Sequence, residues 1–443
     1  MNNTPALAAP HAAPLRRAAE VATNVADRMA TVVDVGAKLQ QPQVQPLVPG
    51  WPGASLAGGY SGISLLHLYA ARHTPDPCAQ AVSQRRAFES VRLAVRHASE
   101  TPIGPGLWDG LCGLALALAE CCRDEPHFAP TLAQVHAQLA GQVLATRWPR
   151  EVGNVAVSDY DLISGAAGTL VQLCAIEDPS PSVRTAVEFT RDYLLWLSEP
   201  ERGGSTRWRW LMEFRVPEAP LQGRKTLPRG YLDVGMAHGA AGVLTALAAA
   251  WRAGYRCRRQ LDAMYRLTLW ILEVRALFNR GGTWPAFVPV TETGAQGAGL
   301  GGEQIGWCYG STGLASALLS TAEATNDNSL RQVALDTFDI SLRRSTDSVD
   351  SQSLCHGLAG LIVGCRQFAD AGSAAAKQAL PMLADRLLER IDANPPFTCH
   401  DPREPQGTTD ELTLLNGVPG MALALLAAAD STRPDWFSAL LGC

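Results

Sequence analysis

The chain has 443 residues, of which 47% are hydrophobic and 18% charged, and this excludes intrinsic disorder, a coiled coil and an electrostatic nucleic-acid binder. Lys plus Arg number 37 against 42 Asp plus Glu, so the net charge of −5 offers no basic excess for phosphate backbones or anionic lipids. Nucleic acid is therefore not expected as a partner.

At the N-terminus, residues 1–14 carry Pro and His without a continuous apolar core, which does not read as a signal peptide. Residues 1–50 read as an extension leading into a first amphipathic helix near 15–35, and the rest, 51–443, as one domain. Long uncharged stretches such as 412–429 contain Asn416, Gly417, Pro419 and Gly420, poor material for a membrane span of about 20 apolar residues. Eleven irregularly spaced cysteines do not form a secreted disulfide framework. The expectation is a cytoplasmic protein without an integral membrane segment.

A short pattern, Gly-x-x-Gly followed by an Ala/Leu-rich stretch, occurs seven times, with first glycines at 59, 110, 165, 239, 310, 357 and 417. Each motif is followed by a segment apolar all round, such as 114–122 (LALALAECC) and 421–429 (MALALLAAA), the signature of a buried helix. Amphipathic segments precede the motifs. Val183, Val187, Leu194 and Leu197 share one stripe, as do Leu261, Met264, Tyr265, Leu269 and Leu272. Further outer helices are expected near 85–99, 129–146, 328–343 and 374–392. Seven outer-then-inner pairs without polar capping repeats predict an all-α fold, a seven-fold α/α toroid. The long links near 198–238 and 279–309 fall on the rim that carries the motifs, where function is expected.

Read in register, the positions just before the first glycine depart from filler at Cys308, Cys355, His356 and His238. Two thiolates and one imidazole leave a fourth tetrahedral position open, as in a catalytic zinc site, so Cys308, Cys355 and His356 are the candidate ligands of Zn2+. Cys399 and His400 repeat the dipeptide in mid-loop without a glycine motif and read as structural. His238 is either a satisfied buried histidine or a general acid/base. Asp161 either caps a helix or orients that histidine, and Tyr309 either packs on the rim or donates to a developing anion. Asp109 reads as a cap; Cys112, Cys121 and Cys122 read as core. Trp208, Trp210 and Trp284 either contact a peptide or pack on the scaffold.

These motifs, GMAHGAAG at 235–242, WCYGSTG at 307–313 and CHGLAG at 355–360, resemble the lanthionine synthetase C-like family, the lanthipeptide cyclases. The resemblance spans about residues 55–440. It implies a central zinc held at Cys308, Cys355 and His356, an acid/base histidine at His238, an auxiliary aspartate at Asp161 in YDLISG, and a site tyrosine at Tyr309. It also implies the activity: intramolecular addition of a peptide cysteine thiol to dehydroalanine or dehydrobutyrine, forming lanthionine or methyllanthionine rings. The implied partners are a dehydrated precursor peptide with its leader and a lanthipeptide dehydratase. Relatives often carry arginine where this chain has Gln304, next to Glu303, which keeps open a non-cyclising zinc protein that binds glutathione or adds a free thiol to dehydroamino acids. Prenyl transfer is disfavoured by the lack of an aspartate ligand and of a basic diphosphate cluster, and a carboxylate-pair glycosidase would not need the cysteines.

Overall fold

Seven helices begin at the first glycine of the seven motifs, and none of these glycines provides a side-chain cap. The computed structural model describes residues 9–29, 53–151, 155–199, 231–278, 283–290, 305–345, 349–391, 413–430 and 433–442. In chain order the helices are α1 (Ala9–Arg28), α2 (Tyr60–Arg72), α3 (Pro77–Glu100), α4 (Leu111–Asp124), α5 (Ala129–Ala145), the single turn α6 (Val157–Tyr160), α7 (Ala166–Cys174) and α8 (Pro181–Leu197). They continue as α9 (Ala240–Arg252), α10 (Arg258–Phe278), α11 (Ser311–Thr325), α12 (Asn328–Ser345), α13 (Leu358–Asp370), α14 (Ala374–Arg390), α15 (Val418–Ala429) and α16 (Phe437–Leu441).

The motif-headed helices α2, α4, α7, α9, α11, α13 and α15 are buried on nearly every side; in α15, Val418 through Ala428 are all buried. Their partners are amphipathic and are capped conventionally: Asp76 accepts from Ala79 N–H at α3, Ser180 from Val183 at α8, Asp327 from Leu330 at α12, and Ser373 from Ala376 at α14.

At five of the seven buried helices a first-turn N–H instead donates to a loop carbonyl seven residues earlier. Tyr60 donates to Gly53, Leu111 to Gly104, Gly168 to Asp161, Ala241 to Val234 and Leu358 to Ser351, at 2.9 to 3.4 Å. The loop must therefore lie against the helix end, and the glycines make the room. A Cβ on the second glycine would collide with the carbonyl oxygen six residues back: Leu56 for Gly62, Leu162 for Gly168, Met236 for Gly242, Trp307 for Gly313 and Leu414 for Gly420. Gly310 is further constrained by a φ of +131°, which side-chain-bearing residues rarely adopt.

Two compact units result. Residues 1–101 and 347–435 form unit one, and 102–346 with 436–443 form unit two. In unit one, α15 of the last repeat packs on both α1 and α2 of the first, and Leu414 and Leu415 donate to the Ala57 carbonyl. The terminal repeats thus cover each other, which is why neither carries a polar cap. In unit two, α7, α9 and α11 pack side by side with α8, α10 and α12 against them, and α16 settles on α7 and α11. Trp307 is anchored there by donating to the Leu440 carbonyl at 2.6 Å.

One expected stripe is corrected. Val183, Val187, Leu194 and Leu197 are buried as expected, but on α10 the residues Leu261, Tyr265 and Leu269 face solvent, Tyr265 at 65% exposure. Met264 is buried as expected and shares the inward face with Leu267, Trp270, Ile271 and Val274, because both sides of this helix carry apolar residues and only contact with α9 selects one. The all-α expectation holds, with the addition of a short antiparallel pair, β1 (Tyr231–Asp233) with β2 (Phe287–Pro289), in register Leu232 to Val288. It joins the two long links, where Tyr231 and Phe287 meet edge-on with ring centroids 4.7 Å apart. Helix α1 starts ahead of the expected 15–35.

Among the described residues, no helix is long and apolar enough to cross a membrane.

The glycine clamp gives a direct comparison. Gly313→Ala is expected to destabilise the fold by about 1–3 kcal/mol through overpacking. At exposed Gly141, within α5 and with nothing near the position a Cβ would take, Ala is expected to stabilise by about 0.5–1 kcal/mol. Thermal unfolding followed by circular dichroism measures both shifts.

Candidate active site and metal-ligand positions

The residues just ahead of each capping glycine occupy the turn where the loop doubles back into the helix, so their side chains are free of the helix's own packing. In unit two this turn carries Asp109, Ser164, His238 and Tyr309, one per repeat, with Cys308 preceding Tyr309. The Cys308 carbonyl accepts from Met236 and Ala237 N–H at 2.9 and 3.3 Å, which ties the fifth repeat's turn to the fourth's.

His238 Nδ1 donates to Asp161 Oδ2 at 2.7 Å. The aspartate is 3% exposed, and its second oxygen accepts from the N–H groups of Ser164 and Gly165 at 2.8 and 2.9 Å. Asp161 thus bonds the turn ahead of α7 with its carboxylate, the Gly168 N–H of that helix with its carbonyl, and His238 with its remaining oxygen. The Nδ1 bond leaves Nε2 as the ring atom available for proton exchange. Burial by itself would depress the His238 pKa, but the hydrogen bond and charge of Asp161, with the nearby Asp233 and Cys308, raise it above the usual value.

Tyr309 does not point its proton outward: its hydroxyl donates to Asp233 Oδ2 at 2.8 Å. Burial and the Asp233 charge push the phenol far above its ordinary range, so it stays protonated. Asp233 is itself 3% exposed, its other oxygen accepts from Gly235 N–H at 2.8 Å, and burial pushes its pKa up to about 6. Asp233 is not among the residues that the repeated motif marks. Its only signal is a lone carboxylate among apolar neighbours in YLDV, six residues before Gly239, a register position ahead of those compared.

Asp109 does not cap α4: its carboxylate accepts the Ser164 hydroxyl at 2.6 Å. Cys112 and Cys121 are buried core and Cys122 is half-buried. Trp284 is buried and donates to the Ile271 carbonyl at 2.7 Å, which assigns it to packing on α10. In unit one, Cys355 is half-buried with its N–H on the Leu415 carbonyl, and His356 is exposed with its N–H on Ser353 Oγ. Gln304, Glu303, Trp208, Trp210, Cys399 and His400 lie outside the described residues.

The family model described as lanthionine synthetase C-like protein matches residues 50–441. The chain belongs to this family. Among curated proteins, nisin biosynthesis protein NisC of Lactococcus lactis subsp. lactis is 24% identical over 264 residues, 59% of this chain. The matched region spans 62% of that relative's length. Among solved structures, nisin cyclase superposes with a TM-score of 0.71 at 20% identity, covering 93% of this chain and 96% of its own. The fold of this lanthionine synthetase C-like protein is accordingly all-α and of the α/α-toroid class.

Replacing Asp161 with Asn removes the carboxylate that raises His238, so the ring pKa is expected to fall. Because a raised histidine pKa stabilises the fold below the unfolded value and loses that contribution as pH rises through the folded value, the deficit of Asp161→Asn is largest in acid and vanishes in alkali. Titration of the His238 ring signals by NMR, with unfolding at acid and alkaline pH, measures both effects.

Proposed function

We propose that this chain is a zinc-dependent lanthipeptide cyclase that adds cysteine thiols of a dehydrated precursor peptide across its dehydroalanine or dehydrobutyrine residues, forming lanthionine or methyllanthionine rings. The observation that carries the reading is the His238–Asp161 hydrogen bond, on a turn whose Met236 and Ala237 N–H groups bond the Cys308 carbonyl. Membership of the lanthionine synthetase C-like family and the names of the two similar proteins support it.

The proposed zinc ligands are Cys308, Cys355 and His356. The donor set fits: two thiolates and one imidazole are borderline-soft ligands that suit zinc and leave one position open. All three sit at the turn ahead of a capping glycine, Gly310 or Gly357, where backbone hydrogen bonds pin the chain. When bound, zinc lowers the pKa of a substrate thiol, ordinarily about 8.5, and holds it as thiolate at neutral pH.

The chain's own residues handle the proton. Attack of the thiolate on the β-carbon forms a carbon–sulfur bond and moves the alkene electrons toward the carbonyl as an enolate. His238, protonated through Asp161, gives its Nε2 proton to the α-carbon. The proton lost from the thiol balances the one delivered, so the peptide mass does not change. Asp161, fixed by two backbone N–H groups, keeps Nδ1 bonded and Nε2 directed away from itself. The precursor with its leader is the proposed substrate, a lanthipeptide dehydratase the proposed supplier, and the cytoplasm the proposed location. Gln304, where relatives often carry arginine, favours one second reading, a non-cyclising protein that binds glutathione or adds a free thiol to a dehydroamino acid.

The two readings separate in one assay. With zinc and a dehydrated peptide, a cyclase consumes alkylatable thiol without a change in mass; a thiol-adding protein leaves the peptide thiols and adds the mass of an external thiol. Cys308→Ala is expected to lose zinc and ring formation together, and retention of both refutes the ligand assignment. His238→Ala is expected to slow ring closure by about 10²–10⁴-fold with zinc retained. Gln304→Arg is expected to preserve or raise the rate.

A further inference from the structure

Beyond the histidine and its aspartate, unit two contains a second hydrogen-bonded pair with the same construction. Tyr309 stands one residue before the glycine that heads α11, as His238 does before α9, and each gives a proton to a buried carboxylate from a neighbouring loop. The two rings adjoin, with centroids 6.2 Å apart and planes inclined at 39°. Tyr309 is also walled by Phe287 at 5.4 Å, and Phe287 is the register partner of Asp233 in the β1–β2 pair. One two-stranded element thus supplies both the carboxylate that takes the Tyr309 proton and the aromatic face that limits its ring.

A carboxylate present only to build the turn would be served by backbone contacts. Asp233 does meet that need with one oxygen, through Gly235 N–H, but its other oxygen is spent on a side chain from another repeat, 76 residues away in sequence. That bond crosses from the fourth repeat to the fifth, parallel to the His238 bond that crosses from the fourth to the third. The glycine at 239 makes room for this placement, because a Cβ there would strike both the Asp233 carbonyl and its Oδ1.

We propose that Asp233 is a positioning residue for the cyclisation reaction: it holds Tyr309 in one orientation beside His238 by accepting its hydroxyl proton, and the paired strands of the two long links exist to place it. The inference rests on the cyclase reading. It makes Tyr309 an oxygen whose proton is already committed, so the phenol meets the substrate through its lone pairs and its ring edge. The β1–β2 pair then serves to build one wall of the site.

The test is a mutant cycle on Tyr309→Phe, Asp233→Ala and the double variant, reading kcat and KM for ring closure, bound zinc, and the NMR resonance of isotope-labelled tyrosine Cζ, with Tyr309→Phe assigning the signal. Each single variant is expected to lower kcat by about 10- to 100-fold at unchanged KM and zinc content, the loss usual for residues that orient a catalytic group. The double variant is expected to lose no more than the worse single, and Asp233→Ala to shift the Tyr309 Cζ signal. Asp233→Asn, whose amide oxygen still accepts from Tyr309, is expected to fall between wild type and Asp233→Ala; it replaces Asp233→Ala in the cycle if that variant does not fold. Additive losses, or an unmoved Cζ signal, overturn the proposal. If the wild-type protein closes no ring, the cyclase reading fails, and the Cζ shift still decides whether Asp233 positions Tyr309.

Discussion

Everything in this chain that bears on chemistry depends on how the N-termini of its buried helices are satisfied. Each helix start presents up to four N–H groups without an intrahelical partner, and an unmet donor in an apolar interior costs about 1–3 kcal/mol. The amphipathic helices use Asp and Ser caps. A helix enclosed on all sides has no water to fall back on, and at five of the seven the preceding loop folds over the helix end so that a carbonyl seven residues back accepts a first-turn proton. That close approach requires the Gly-x-x-Gly pattern, because a Cβ at either glycine would occupy the volume of the crossing backbone. The reversal of direction leaves a tight turn immediately before each helix, and in three repeats that turn carries His238, Tyr309 with Cys308, and His356 with Cys355.

The same geometry explains how two carboxylates can be buried close together. Asp161 and Asp233 are each 3% exposed, a costly placement for charge unless every oxygen is bonded. Both meet that condition alike, with one oxygen on backbone N–H and one on a side chain from another repeat. The surplus negative charge shifts the proton equilibria in the direction an acid catalyst needs, keeping His238 protonated above its ordinary range and Tyr309 a neutral phenol. Among the described residues no lysine or arginine bonds either carboxylate, and the one basic partner is His238, on Asp161.

Legibility in the sequence followed the strength of local constraint. The glycine pairs marked the start of all seven buried helices, because steric exclusion of a Cβ is a property of the residue type and recurs identically in each repeat. The stripe on α8 was readable because its opposite face is charged. On α10 it was not, since Leu261, Tyr265 and Leu269 make an apolar row as regular as the buried one, and periodicity cannot rank two such rows. The β1–β2 pair escaped notice because three-residue strands lie below what alternation can signal, and they are joined only by chain folding back from links far apart in sequence. Asp233 escaped for the same reason: its partner, Tyr309, lies in another repeat.

The sequence by itself determined the all-helical class, the repeat count, the entry point of each buried helix and the residue types at the turns, all of which follow from short-range sterics and hydrophobic period. Only the tertiary structure decided which proton each turn residue gives up and to what. That Asp161 bonds both the turn ahead of α7 and His238, that Tyr309 turns to Asp233, and that Trp284 packs on α10 are outcomes of distances between segments tens of residues apart. Hydrogen bonds are directional and act within about 3 Å, so partners chosen across repeats leave no imprint on local composition.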